Sequence, residues 1–271
     1  KGEGPEIAKK YGVRGFPTFL MTNAKGEVTD GWIGYPGPEK WAANVIAGNK
    51  DRRTIPEKKA AYDKKADKAL ACALANHASV AYDFKSAVSY YRAAREMDPA
   101  KADFYTSEIL TYMYYGSRQE LFSLDEVETE AKIVMAASGS TAENKVNVAR
   151  MFSNMAASMG QPERAIPYIS QALAASEGNT ELAEARLELE IQAAMLMDKD
   201  LDKAVALKRQ TYDEGWMDDP GALNNFAWWC FENNVNLEEA EELALRGVEL
   251  ATDNEVRANI LDTAAEICAA R

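Results

Sequence analysis

The sequence predicts a mostly α-helical protein, in which a long array of antiparallel helix pairs follows a short segment of two strands and a helix. Most of the chain is rich in Ala, Leu, Glu and Lys and places apolar residues three and four positions apart, a spacing typical of amphipathic helices. Near the start, the apolar run Thr18–Thr22 and a turn at Gly26 are typical of a β-hairpin. These patterns divide the chain into a segment 1–49, a linker 50–60 and a helical array 61–271.

The composition limits the classes of partner. An apolar fraction of 47% supplies a packed core and excludes wholesale disorder. The formal charge of −12 argues against nucleic acid and against anionic membrane surfaces, because both attract basic proteins. No run approaches the ~18 consecutive apolar residues of a membrane helix, so no membrane-spanning segment is predicted.

Cysteine, histidine and carboxylate patterns give no signal for a metal, a cofactor or a catalytic residue. Cys72, Cys230 and Cys268 are too far apart in sequence to suggest a disulfide framework, and we expect the last two to be buried and Cys72 to be more accessible. The single histidine, His77, excludes any site that needs two imidazoles. The acidic run 238–242 has the spacing of a solvated helix face rather than of a buried acid–base pair.

Local signals in the first fifty residues predict the secondary structure of this segment. Pro17 pushes the preceding residue into extended geometry, Gly26 supplies the positive φ of a hairpin turn, and Pro38 suits the first turn of a helix. In order, the elements are the end of a short helix at Tyr11, a strand at 18–22, a turn at 23–26, a strand at 27–35 and a helix from Pro38 to about Ala47.

Two runs in this segment, Tyr11-Gly-Val-Arg-Gly-Phe-Pro-Thr18 and Gly26-Glu-Val-Thr-Asp-Gly-Trp-Ile-Gly-Tyr35, resemble the C-terminal half of a thioredoxin-like domain. Gly-Phe-Pro-Thr is similar to the cis-proline loop of that family, with Pro17 in the cis position; a trans proline at a strand edge is the alternative. The resemblance implies that Phe16, Pro17 and Gly34 border a peptide-binding surface.

The redox centre of that family has no counterpart in this chain. A Cys-x-x-Cys pair should lie one strand and one helix upstream, where only ten residues precede the first run. The segment as given therefore cannot carry out dithiol–disulfide exchange. Two strands and a helix also leave a sheet edge unpaired, which predicts cover from the missing half, from the rest of the chain, or from a second copy in a homo-oligomer.

A fixed period runs through the helical part. The anchoring alanines Ala87, Ala165, Ala204 and Ala240 are separated by 78, 39 and 36 residues, and the doubled first gap predicts a degenerate unit at about 123–134. Each alanine lies in a helix pattern, and Asp98-Pro99 ends the first unit with a turn.

These units resemble tetratricopeptide repeats, in which a small residue lies where two antiparallel helices cross. The resemblance implies a right-handed superhelix of about five helix pairs. The final residues, 259–268, form the first helix of a further unit or a cap, and we expect the chain to continue beyond Arg271.

In such arrays the first helix of each pair lines a concave face that binds peptides. Arg150 and Asn154 lie four apart on that face, a pairing suited to a carboxylate, whereas Glu190 in the next unit argues against a full carboxylate clamp. A solvated polar face is the alternative interpretation of both residues.

The last complete unit offers a second candidate surface. Asn225, Trp229 and Glu232 project to the concave side, and Trp228 should face its partner helix. Trp229 is either an anchor for a peptide or a residue that packs on the terminal helix.

The resulting functional prediction is a protein–protein interaction module that binds a partner peptide or protein and needs no cofactor. The alternative is a fragment of a thiol–disulfide oxidoreductase whose Cys-x-x-Cys lies upstream of residue 1. A third possibility makes the first fifty residues a cap on the array. The family resemblances are compatible with the bacterial periplasm or cytoplasm, and the periplasm is favoured.

Overall fold

The computed structural model describes residues 4–35, 37–117 and 119–271, so residues 1–3 of the predicted segment 1–49 lie outside the described part. Within these ranges the protein is mostly helical, with 14 α-helices and one two-stranded sheet, which confirms the predicted class. The chain forms two compact units, Lys1–Gly160 and Gln161–Arg271, and each is described by itself.

The first unit contains a β-hairpin, eight α-helices and a short 3-10 helix (Pro99–Lys101) among its described residues. Their order is α1 (Gly4–Lys10), β1 (Thr18–Thr22), β2 (Val28–Ile33), α2 (Pro38–Lys50), α3 (Ile55–Lys64), α4 (Lys68–Val80), α5 (Phe84–Met97), α6 (Ala102–Ser117), α7 (Leu124–Ala136) and α8 (Ala142–Ser158).

The second unit is entirely helical. Its elements are α9 (Ile166–Ala175), α10 (Ala183–Ala193) with a π-helical extension (Ala194–Asp198), α11 (Leu201–Arg209), α12 (Pro220–Glu232), α13 (Leu237–Leu250) and α14 (Asn254–Ala270).

The hairpin pairs β1 and β2 in antiparallel register, with Phe19 opposite Trp32 and Leu20 opposite Gly31. The two aromatic rings of the first pair stack with centroids 5.4 Å apart. Strand β2 is the more buried of the two because it packs against α4 and α3. The predicted strand–turn–strand order is therefore confirmed, and the second strand is shorter than the predicted 27–35.

Gly31 is more tightly surrounded than Gly26, the other glycine of this hairpin. A Cβ atom there would lie 2.7 Å from Leu20 Cδ2 and 2.9 Å from the carbonyl oxygen of Phe19. Because the second contact is with backbone, we expect Gly31→Ala to lower the free energy of unfolding by about 2 kcal/mol. Hydrogen exchange of the β1 and β2 amides, combined with urea denaturation, measures the change. Gly139→Ala is the control, since nothing lies within 4 Å of its added Cβ, and an equal loss in both variants would contradict the prediction.

Helix α3 occupies residues that the sequence predicts as linker. Of the stretch 50–60, only residues 51–54 lie outside helices. The helix begins at Ile55 because Thr54 and Glu57 form a capping box and Pro56 occupies the first turn. Because α3 begins this early, it includes Lys58, whose side chain contacts Thr29 on β2.

Helices in the first unit pack against their neighbours along the chain, from α4 with α5 through α7 with α8, and α6 also contacts α8. Ala75, Ala87 and Ala94 are completely buried. Most of the stretch 123–134, where the sequence predicts a degenerate unit, lies in α7, and Ala131 on this helix is completely buried.

The second unit shows the same sequential packing, and α14 lies against both α12 and α13. The anchoring alanines of this unit are buried: Ala165, Ala204 and Ala240. The buried face of α14 is formed by Ile260, Thr263, Ala264 and Ile267. Cys268 follows one position after this face and is exposed, so the prediction that it is buried was wrong, whereas Cys230 is buried as expected.

Candidate functional site

The first unit contains a cavity of about 290 Å³ between β2 and helices α2 to α6. Its lining combines carboxylates, an amine, amides, a thiol and aromatic rings. The polar and aromatic members are Asp30, Trp32, Asn44, Asp51, Lys58, Cys72, Asn76, Tyr91, Phe104, Glu108 and Tyr112. In this cavity the hairpin and the helices share a chemically mixed surface.

Helical spacing explains how two helices supply one side of this cavity. Helix α4 contributes residues 69, 72, 73 and 76, which share one face because a helix repeats every 3.6 residues. Helix α6 contributes Phe104, Glu108 and Tyr112, which are four apart and so also share a face. Both helices present these faces to the same space.

A buried lysine joins the hairpin to α3 at the cavity wall. Lys58 is 1% exposed, and its Nζ donates to the carbonyl oxygen of Thr29 at 2.7 Å. The same Nζ lies 3.5 Å from Asp30 Oδ2, while the other oxygen of Asp30 accepts a hydrogen bond from the backbone N–H of Gly31. The amine is therefore held by a main-chain acceptor and a carboxylate, as burial of a charge requires.

Two tyrosines and an amide form another part of the lining. The rings of Tyr91 and Tyr112 stack with centroids 5.8 Å apart, and Tyr91 Oη donates to Asn76 Oδ1 at 2.5 Å. Burial, followed by the negative charge of Glu108, raises the pKa of Tyr91 well above its usual value and that of Tyr112 to about 12. Both phenols are neutral at physiological pH, and both experience the field of Glu108.

Cys72 is not an activated thiol. Burial raises its pKa above the usual value of 9.0, and a hydrogen bond with Tyr105 and the charge of Lys68 oppose this shift without reversing it. Since the thiolate is the reactive form, the thiol is poorly suited to nucleophilic or redox chemistry at neutral pH.

His77 lies beside the cavity on α4, and burial lowers its pKa below 6.5; the charge of Asp30 opposes this shift and that of Lys58 adds to it. The unfolded chain therefore binds a proton more readily than the folded chain. We expect the free energy of unfolding to fall as the pH is lowered through 6.5 towards the pKa of His77 in the folded state. Below that pKa, His77 should cause no further loss of stability. The free energy of unfolding should change with pH by less than the ~1.4 kcal/mol per pH unit that the uptake of one full proton would give. The effect is smaller because the half-buried ring is partly screened by solvent.

Urea denaturation at pH 7.5, 6.5 and 5.5 measures this dependence. His77→Asn should remove most of it, since the chain has no other histidine. An unchanged pH dependence in the variant would contradict the assignment.

The structure brings together the three residues of the predicted cis-proline loop. The Phe16–Pro17 peptide bond is cis, and the N–H of Gly34 donates to the carbonyl oxygen of Pro17 at 2.9 Å. Gly34 has φ of 80°, and the side chain of Phe16 is 84% exposed.

The predicted concave-face residues fall into both units. Arg150 and Asn154 lie on α8 in the first unit, the former half-buried and the latter exposed. Asn225 and Glu232 lie on α12 in the second unit and are exposed. Trp229, also on α12, is half-buried against a cluster of Ile191, Ala194 and Ala204 and against the main core of its unit.

The orientation predicted for Trp228 was wrong. The buried face of α12 consists of Leu223, Phe226, Ala227 and Cys230. Trp228 lies on nearly the opposite side of the helix, where it is 37% exposed and contacts Phe231 with ring centroids 5.1 Å apart. The surface aromatic of α12 is therefore Trp228, and Trp229 is the one that contributes to packing.

Sequence reasoning missed the cavity, and only part of it had a readable signal. The shared face of Cys72 and Asn76 on α4, and that of Phe104 and Glu108 on α6, follow from helical spacing alone. The burial of Lys58 does not, because it depends on how the hairpin packs.

Comparisons of the sequence with models of protein families and with curated proteins found no match. In the described ranges, no helix has the length and apolar character needed to cross a membrane. The same residues contain no group of three or more His, Cys, Asp or Glu side chains placed to hold a metal ion.

Proposed function

We propose that this protein is an interaction module that binds an extended peptide segment of a partner protein. In this proposal helices α4 to α14 are tetratricopeptide-like pairs wound in a right-handed superhelix, and the hairpin with α2 is a thioredoxin-like segment placed before them. The peptide lies along the first helices of the pairs, which in the first unit are α4, α6 and α8.

The observation that carries the proposal is the shared cavity face of α4 and α6. Side chains from two successive first helices, Asn76 on α4 and Glu108 on α6, line the same space. Helical hairpins that bury small residues at their crossings keep such faces rigid, and a rigid face binds a flexible peptide with a smaller entropic cost. The exposed Asn154 on α8 adds a polar side chain from the next first helix.

The charge of the chain favours a basic segment. With a formal charge of −12, the protein attracts cationic partners at long range and repels acidic ones. We therefore expect lysine- or arginine-rich peptides to bind more tightly than acidic peptides, and this difference should shrink as salt is added.

Titration of the isotope-labelled chain with three decapeptides of equal length, one lysine-rich, one neutral and one glutamate-rich, tests the proposal. The basic peptide should shift backbone amide resonances of α4, α6 and α8. Asn154→Ala should weaken its binding by about threefold, the value of one modest hydrogen bond. Thr129→Ala, an exposed change on α7, should leave binding unchanged. Shifts confined to α5 and α7, or no response to any of the peptides, would refute the proposal.

A further inference from the structure

We infer that Lys208 on α11 is a modification site, at which a small acyl phosphate such as acetyl phosphate transfers its acyl group to the side-chain amine. The site lies in the second unit, and the inference does not depend on the proposed peptide binding. It rests on the surroundings of the Lys208 Nζ, where partial burial and two aromatic rings take the place of an ion pair.

The Lys208 side chain lies against aromatic rings rather than beside a carboxylate. It is half-buried, and its Nζ lies 5.3 Å from the ring centroid of Tyr212 and 5.8 Å from that of Trp229. No residue in the described ranges forms a hydrogen bond or an ion pair with this amine. The neighbouring Arg209, by contrast, is paired with Glu239 on α13. The Lys208 amine therefore lacks the partner that burial of a charge ordinarily requires.

Other lysines of the chain are held in their charged form by carboxylates. Lys59, Lys68 and Lys203 each donate to an aspartate, and this hydrogen bond raises the pKa of each amine. Burial instead lowers the pKa of Lys208. A larger fraction of Lys208 is therefore neutral at physiological pH, and only the neutral amine has the lone pair that attacks an acyl carbon.

Neighbouring groups oppose the effect of burial on Lys208 without reversing it. The charges of Glu188 on α10 and of Cys230 on α12, when ionised, favour the ammonium form. Burial raises the pKa of the Cys230 thiol and of the Tyr212 phenol to about 12, so both are neutral at physiological pH. The rings of Tyr212 and Trp229 also attract an ammonium group, but their centroids lie near the outer limit of about 6 Å for this interaction.

Transfer of the acyl group needs no reactant besides the acyl phosphate. The lone pair of the neutral Nζ attacks the carbonyl carbon of the acyl phosphate, and an N–C bond forms. The C–O bond to the phosphate then breaks, and phosphate leaves with the electron pair of that bond. The amine releases one proton to solvent, and the product is a neutral amide.

This amide suits the site better than the charged amine does. Acylation removes a half-buried charge that has no partner, and an amide costs less to desolvate than an ion. The methyl group of an acetyl product can also pack against the rings of Tyr212 and Trp229. Carbon dioxide would instead leave a carboxylate at the same place, so the surroundings favour an acyl donor.

Brief acetylation of the native chain with acetyl phosphate at pH 7.5 tests the inference. Labelling the remaining amines with deuterated acetic anhydride in denaturant, followed by mass spectrometry of a chymotryptic digest, gives the extent of reaction at each lysine. Lys208 should react at least about threefold faster than Lys59 and Lys203. In concentrated urea the three rates should become nearly equal. In the native chain the rate at Lys208 should level off at a lower pH than the rate at Lys203, because each rate follows the neutral fraction of its amine.

Two matched variants test the role of the missing ion pair. Thr211→Glu places a carboxylate one helical turn after Lys208, since the backbone N–H of Thr211 donates to the carbonyl oxygen of Lys208. It should slow acetylation of Lys208 about twofold, because the carboxylate stabilises the ammonium form. Gln210→Glu adds the same charge at an exposed position that does not face Lys208, so it should have a smaller effect. Circular dichroism verifies the fold of both variants.

Three results would overturn the inference. The first is an equal rate at Lys208, Lys59 and Lys203 in the native chain. The second is an advantage of Lys208 that persists unchanged in urea, because the local sequence and not the folded surroundings would then cause it. The third is equal slowing by Thr211→Glu and Gln210→Glu, which would show that the added charge repels acetyl phosphate and does not act on the Lys208 amine.

Discussion

Replacement of Lys58 by methionine is expected to lower the free energy of unfolding of the first unit by about 3 kcal/mol. The methionine keeps most of the buried stem but removes the Nζ that binds the carbonyl oxygen of Thr29 and lies beside Asp30. A buried carbonyl and a largely buried carboxylate then lose their partner, and the cost of an unsatisfied buried charge exceeds the gain from burying a thioether. Urea denaturation followed by far-ultraviolet circular dichroism measures the loss.

Two further variants make this prediction specific. Lys59→Met changes the neighbouring lysine, which is exposed and paired with Asp63 one helical turn away, and should cost less than about 0.5 kcal/mol. The double change Asp30→Asn with Lys58→Met removes both charges and should recover part of the loss. Similar stability of Lys58→Met and Lys59→Met would show that the buried amine does not hold the hairpin to α3.

Replacement of Glu130 by glutamine is expected to lower the free energy of unfolding by about 2–3 kcal/mol. Glu130 is buried on α7 and accepts from Arg92 Nε at 2.7 Å and from Arg95 Nη1 at 2.5 Å, both on α5. Arg95 Nη1 also donates to Thr106 Oγ1 on α6 at 2.9 Å, so one carboxylate organises contacts among three helices. An amide at this position carries no charge and offers one acceptor oxygen to two guanidinium groups.

Chemical denaturation measures this effect, with Glu128→Gln on the same helix as its control. Glu128 pairs with Lys132 across one turn at a more exposed position, and such pairs contribute about 0.3–0.5 kcal/mol. If both variants lose equal stability, the charge of α7 as a whole matters and the network of Glu130 does not.

Local signals in the sequence predicted the elements of the fold well. Pro17 and Gly26 impose backbone geometry on their neighbours alone, so the strand at Thr18–Thr22 and the turn after it are where the sequence places them. The periodic alanines Ala87 and Ala240 are completely buried, as their place on the apolar faces of predicted amphipathic helices led us to expect.

The failures come from helical phase and from long-range packing. One position along a helix rotates a side chain by about 100°, so a small error in phase exchanges Trp228 with Trp229 and places Cys268 in the core. The burial of Lys58 was not predicted for a different reason, because it requires β2 to pack against α3. The candidate cavity combines residues from the hairpin and from five helices. The sequence pattern of any one of these elements therefore could not predict it.

The stacked aromatic residues of the hairpin have a practical consequence for spectroscopy. The first unit contains two tryptophans, Trp32 and Trp41, and Trp32 stacks on Phe19. The second unit contains Trp216, Trp228 and Trp229. Substituting either set by phenylalanine would leave a chain whose intrinsic fluorescence reports on one unit at a time. The emission of Trp32 would also respond to occupancy of the cavity it lines, which gives the chain an optical probe of binding that needs no added label.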